Sequence, residues 1–202
     1  MPRGFTEQEK ERIHQILLKE GKILFGRFGL KKTSIIELAK AAGIAPGSFY
    51  AFFPSKEELF FEIIEKEEEV IKQEFMKFDI SKAQDPKQAM KQLLLKTFTK
   101  IEENTLLSQL LLENNHDTLL RKLPREKLEA HFKKDSSMVE LIAAKWEETG
   151  MIREIDSDVL AGLFRALFTM SLHKKEIGEG VYPQTLALFV DFIVDGLVKV
   201  VE

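Results

Sequence analysis

Cysteine is absent from this chain of 202 residues. That excludes disulfides, thiolate nucleophiles and cysteine-ligated zinc, and it suits a reducing cytosol. The histidines, His14, His116, His131 and His173, are scattered, and none stands at metal-binding spacing with another. No metal site is expected. Phosphate loops, dinucleotide fingerprints and nucleophile elbows are missing, since Gly47-Ser48 and Gly178-Glu179-Gly180 are too short for any of them. Carboxylates are plentiful, but no pair is set apart. Nothing marks a catalytic residue or a cofactor, so the chain does not read as an enzyme. No apolar run approaches the roughly 20 residues that span a bilayer. The N-terminal Met-Pro-Arg-Gly-Phe-Thr-Glu lacks the apolar core of a signal peptide. A cytoplasmic protein that does not enter a membrane is expected. Strand signals and internal repeats are also missing, which leaves an all-α class.

What is present is mixed charge around much apolar residue. Hydrophobic residues make up 44% of the chain and charged ones 31%, with a net charge of −3. The charge is unevenly spread. Residues 1 to 60 are net basic, with ten Lys and Arg against seven Asp and Glu, and the remainder is net acidic. A basic module on an acidic body suits a nucleic-acid reader with a regulatory domain.

Ile13, Ile16, Leu17, Leu24, Phe25 and Phe28 recur at three and four residues, which predicts a helix over Thr6–Phe28 that Gly29 ends. Gly21 inside it would let another helix approach closely. Ser34 and Glu37 have capping-box spacing and start a second helix, with Ile35, Ile36, Leu38, Ala39 and Ala42 on its buried side. Gly43 stands where the chain must reverse. Pro46 fits the first turn of a short helix to about Phe52, which is too short to be stable alone. Ser55 and Glu58 start the next long helix, to about Phe78, with an apolar face from Leu59 to Val70 and Phe75. A short helix presented across a glycine turn is the helix-turn-helix arrangement for reading DNA.

These residues also carry a family resemblance. Thr33, Leu38-Ala39, Ala42-Gly43-Ile44, Gly47, Tyr50, Phe53 and Ser55-Lys56-Glu57, with Leu24-Phe25 and Gly29 upstream, stand at the spacing of the N-terminal domain of TetR-family transcriptional regulators. Residues 10 to 62 resemble that domain. Ala45 stands where members usually carry serine, and Phe52 where they carry histidine or tyrosine. Ala45 is a poor cap, at a cost of about 0.5–2 kcal/mol, and Phe52 offers no hydrogen bond to a phosphate.

The resemblance implies an N-terminal three-helix DNA-binding domain (1–60) joined by a linking helix to a C-terminal helical domain for ligand binding and dimerisation (61–202). It further implies that Thr33 or Ser34, Tyr50 and Lys56 contact phosphate. Pro46, Gly47 and Ser48 lie at the start of the helix that enters the groove.

The body reads as further helices. Pro86 opens one, Arg125–Thr149 forms another with a break at Asp135-Ser136-Ser137, and Asp156 or Ser157 caps a third, to about Lys175. Pro183 opens the last. The final two are apolar nearly all round, and helices apolar on two sides are buried on two sides. A second copy is expected on one of them, through Leu163, Leu167, Phe189, Ile193 and Leu197. By resemblance, the body also holds a small molecule. Candidate apolar walls are Phe98, Leu110, Phe132, Trp146, Phe164, Phe168 and Met170, and Asn114, Asn115, His116 and His131 are candidate polar anchors. The expected function is a homodimeric repressor on a palindromic double-stranded operator, released by a hydrophobic or aromatic effector. Two other readings stay open: a helix-turn-helix protein acting through protein partners, and an all-α carrier or enzyme without DNA activity.

Overall fold

Residues 5–110 and 115–199 are described by a computed structural model. Thr6 starts α1 (Glu7–Lys32): its hydroxyl accepts from the Glu9 N–H, and the Glu9 carboxylate accepts from the Thr6 N–H at 2.8 Å. This reciprocal cap satisfies donors that a first helical turn leaves without partners. The bond from the Thr6 backbone, above all, holds the Glu9 carboxyl below its ordinary range. Gly29, at φ 77° and ψ 164°, breaks the helical path before a last turn through Lys32. Glycine adopts that backbone without steric cost.

In α2 (Ile35–Ala41) the same device recurs, with the Ser34 N–H on the Glu37 carboxylate at 2.8 Å. Gly43, at φ 70°, reverses the chain. The segment that follows is a tight 3-10 helix, Pro46–Ala51, and its cap residue Ala45 makes no side-chain bond. Packing holds it in place: Phe49 and Phe53 are buried, their rings 6.1 Å apart. Then comes α3 (Lys56–Lys77), whose first turn donates from the Glu58 N–H to Ser55 Oγ at 3.1 Å.

The remaining described α-helices are α4 (Pro86–Glu103), α5 (Leu107–Leu110), α6 (Asn115–Lys122), α7 (Arg125–Glu147), α8 (Ser157–Leu172), α9 (Lys174–Ile177) and α10 (Tyr182–Leu197). The break expected at Asp135-Ser136-Ser137 does not occur, and α7 runs through it. Asp135 accepts from Lys72 Nζ at 2.6 Å instead of capping a new helix, while Val139, Ile142 and Trp146 are buried below. Among the described residues the one extended pairing is an antiparallel bridge between Ile152 and Val198.

The chain divides into two units. The first joins Met1–Glu69 to Asn104–Leu123, and the second joins Val70–Glu103 to Pro124–Glu202. The division thus falls inside α3, after Glu69, where the sequence reading placed it at 60/61. It also assigns α5 and α6 to the first unit. Asn104 shows why: its Oδ1 accepts from the Leu106 and Leu107 N–H groups, and its Nδ2 donates to Glu67 at 2.8 Å. Lys122 donates to the buried Glu57 at 2.7 Å. In the same unit, Phe25 and Phe60 meet edge to face at 5.1 Å. Gly21 permits that approach of α1 and α3, since a Cβ there would stand 3.0 Å from Ile63 Cδ1.

Ile36, Phe28 and Val70, expected on buried stripes, are exposed, Ile36 by 65%. The buried face of α2 is set by Leu38 and Ala39, and Ile36, two residues earlier, is turned about 200° from Leu38. In the second unit, Met90 and Leu94 of α4, Trp146 of α7, Leu167 of α8 and Val190 and Val194 of α10 share one core. Lys87 and Lys91 pair with Asp195 and Asp191, both at 2.6 Å, and fasten α4 along α10.

Gly29→Ala should destabilise the protein by about 1–3 kcal/mol, because alanine is strained at that φ and its Cβ would meet Gln109 Oε1 at 3.1 Å. Urea denaturation of the two proteins, compared at equal m-value, measures this.

Candidate nucleic-acid interface

The helix-turn-helix is assembled from the end of α1 inward. Lys56 Nζ, at the start of α3, donates to the carbonyls of Leu30 at 2.8 Å, Lys31 at 3.2 Å and Thr33 at 2.7 Å. All three ammonium hydrogens are used, on carbonyls that the end of α1 would otherwise leave without partners. Thr33 is buried, and its hydroxyl donates to Gly29 O at 2.9 Å. In the structure Thr33 and Lys56, both expected at phosphate, hold the end of α1. Ser34 Oγ donates to the Glu37 carboxylate at 2.7 Å and accepts from the Glu37 N–H. That engagement, with the Ser34 N–H first, holds the Glu37 carboxyl below its usual range.

What remains presented is the 3-10 segment and the exposed side of α2. Pro46, Gly47 and Tyr50 are exposed, and Ser48 is half-buried. Tyr50 is 59% exposed with its ring edge against the buried Phe49 at 5.8 Å, so packing aims the phenol outward. Phe52 lies against Phe5 at 5.7 Å, an apolar contact where the resemblance led one to look for a polar group. Lys31, Lys32 and Lys40 are exposed around the same element and supply positive charge. Ile36 escaped the sequence reading as a presented residue. The available signal was its place off the Leu38-Ala39-Ala42 stripe.

In the second unit, the five residues expected to meet a second copy come together. Leu163 and Leu167 of α8 and Phe189, Ile193 and Leu197 of α10 line one open apolar groove of about 430 Å³, with Phe192 at its edge, 63% exposed. The ligand candidates do not converge in the same way. Phe98, Trp146 and Phe164 belong to the core of the second unit, but Leu110 is buried in the first. Phe132 is exposed beside Lys133, Ser136 and Arg165, its ring 5.7 Å from His131. His131 Nε2 stands 3.4 Å from Asp135, the carboxylate that also binds Lys72. Phe168 and Met170 are half-buried on α8. Asn114 and the side chain of Asn115 lie outside the described residues.

Two buried polar atoms in that core have no hydrogen-bond partner, Trp146 Nε1 and Tyr182 Oη. Burial, and then the nearby Glu102 charge, push the Tyr182 phenol up to about 12. Tyr182, which the sequence reading did not single out, also has the Lys174 ammonium 5.0 Å above its ring.

Comparison with known proteins gives this geometry a context. The family model for bacterial regulatory proteins of the tetR family matches residues 17–63, the span that holds the helix-turn-helix. The HTH-type transcriptional regulator AcrR of Shigella flexneri is 33% identical over 90 residues, 45% of this chain and 42% of that protein. The match thus spans less than half the length of that relative. Over nearly the whole chain the likeness is one of fold. A TetR-family transcriptional regulator of Pectobacterium atrosepticum superposes with a TM-score of 0.73 at 16% identity, covering 98% of this chain and 100% of that one. SmeT, the repressor of the Stenotrophomonas maltophilia multidrug efflux pump SmeDEF, superposes with a TM-score of 0.61 at 20% identity, covering 95% and 93%.

Lys56→Met should lower stability by about 1.5–3 kcal/mol, the scale for hydrogen bonds from a charged donor. Tyr50→Phe, at an exposed ring, should leave stability unchanged, and parallel thermal melts compare the two. Tyr182→Phe should stabilise the protein by about 1–3 kcal/mol by removing a buried hydroxyl without a partner. The phenol is neutral in the folded state up to about 12 but only to its ordinary value of 10.0 when unfolded. The wild type should therefore lose stability as pH rises from about 10 to about 12, and the phenylalanine variant should lack that loss in melts across this range.

Proposed function

We propose that this chain, whose residues 17–63 match the model for tetR-family bacterial regulatory proteins, is a homodimeric transcriptional repressor whose operator complex is broken by a small hydrophobic effector. The observation that carries the reading is the presented helix-turn-helix. A segment too short to hold itself is braced by buried Phe49 and Phe53 and exposes Pro46, Gly47 and Tyr50, within the stretch that the family model matches. Ser48 and Tyr50 offer hydroxyls to the DNA, and exposed Lys31, Lys32 and Lys40 offer charge to phosphate. Thr33 and Lys56 keep the element in shape. A basic first module on an acidic body supports the same assignment. Such a protein works in the cytoplasm, and no described helix is long and apolar enough to cross a membrane.

Dimerisation is assigned to the apolar groove of α8 and α10. A self-complementary patch places two helix-turn-helix elements on one palindrome. Their half-sites are separated by one helical turn or a multiple of it, roughly 34–36 Å per turn. The effector is assigned to the second unit, where Trp146 Nε1 and Tyr182 Oη, two buried polar atoms without partners, share one core with Phe75, Phe78, Phe98 and Phe164. An apolar molecule with one or two hydrogen-bonding atoms suits such surroundings. SmeT has been solved with triclosan and RolR, a further neighbour in fold, with resorcinol.

Phe192→Glu should yield folded monomers in sedimentation, because a second copy would have to bury the charge without a partner. The same variant should bind the palindrome at least tenfold more weakly in a shift assay with random DNA as competitor. Wild-type protein that sediments as a monomer at micromolar concentration, or that binds its own upstream DNA no better than random DNA, would overturn the proposal.

A further inference from the structure

The recognition segment carries none of the side chains that make paired hydrogen bonds to a base edge. From Ile44 to Phe53 the chain reads Ile-Ala-Pro-Gly-Ser-Phe-Tyr-Ala-Phe-Phe, without Arg, Lys, Asn, Gln, Asp or Glu. Guanine is ordinarily read by Arg or Lys, adenine by Asn or Gln, and cytosine by a carboxylate. The presented atoms are instead the Pro46 ring, the Gly47 backbone and the Tyr50 ring, and Phe49 is withdrawn into the core. On α2, Ile36 adds a second exposed apolar side chain, 65% open, which the fold of its own unit leaves without use. Apolar side chains on a presented element find their best match in an apolar counterpart. In the major groove the apolar feature of a base pair is the C5-methyl group of thymine.

We propose that this protein reads its operator through thymine methyl groups, with Ile36, Pro46 and Tyr50 as the specificity-determining residues. This rests on the DNA-binding reading above and adds to it the chemistry of the bases recognised. Lys31, Lys32 and Lys40 supply the sequence-independent attraction to phosphate. Discrimination comes from close apolar fit, and the half-site is A·T-rich where these three side chains meet it. Ser48 contributes a single hydroxyl, which by itself distinguishes bases weakly.

The test uses the full chain and a duplex library with a randomised centre, from which a bound site is selected. Each thymine of that site is then replaced by deoxyuridine, which deletes the methyl and leaves pairing and phosphates unchanged. Removing a read methyl should weaken binding about three- to fivefold, the scale of burying one methylene-sized group. The salt dependence should not change. Ile36→Ala, at an exposed position and checked by thermal melt, should abolish the uracil effect at the thymine it reads and leave it at the others, as a double-mutant cycle requires. A selected G·C-rich site, or a site whose affinity is indifferent to uracil at every position, overturns this inference and leaves the regulator reading standing. Failure to select any site overturns both.

Discussion

The shape of the helix-turn-helix depends on how α1 is ended. After Gly29 the helix leaves its path, and the carbonyls of Leu30, Lys31 and Thr33 would lie without partners beside the start of α2. Lys56 takes all three from the first residue of α3. One ammonium thereby joins the end of α1 to the start of α3, across 23 to 26 residues of sequence. The Thr33 hydroxyl closes the same corner on Gly29. Inside this frame a 3-10 segment with no cap of its own can persist. The bonds that hold the frame are made by the groups a motif-based reading would send to the DNA. What is left outside includes Ile36, Pro46 and the Tyr50 ring beside the exposed Lys31, Lys32 and Lys40.

The second unit is organised by a different constraint. α8 and α10 have more apolar surface than one core can bury. One side of α10 enters the core with Leu186, Val190 and Val194, and the other forms the groove with Phe189, Phe192 and Ile193. Between them, Asp191 and Asp195 accept from Lys91 and Lys87 of α4. These two ion pairs at the rim contribute only about 0–1 kcal/mol each. Apolar burial in the core stabilises the unit more than these pairs do. Within that core, Trp146 Nε1 and Tyr182 Oη are polar atoms with nothing to bind, and a protein bears that cost most readily where another molecule can relieve it.

The sequence by itself determined the helical class, the capping box at Ser34, the Ser55 cap, the glycine reversal at Gly43 and the existence of a presented element between Pro46 and Phe52. Those features follow from contacts within four or five residues, which a linear pattern records directly. It also marked the apolar face of α8 and α10, because helical periodicity survives into packing. Tertiary structure alone decided what long-range contacts decide. Ile36 looks like a core residue until Leu38 and Ala39 set the buried face. That Lys56 and Thr33 bond to the carbonyls at the end of α1 is visible only in the fold. The Asp-Ser-Ser run in α7 looks like a break until Lys72 pairs with Asp135 and the core holds Val139 and Trp146. Asn104 and Lys122 place α5 and α6 with the first unit through Glu67 and Glu57, residues 37 and 65 positions away. No local pattern encodes a partner at that distance, and a hydrogen-bonding group is free for function only once folding has shown that nothing nearer needs it.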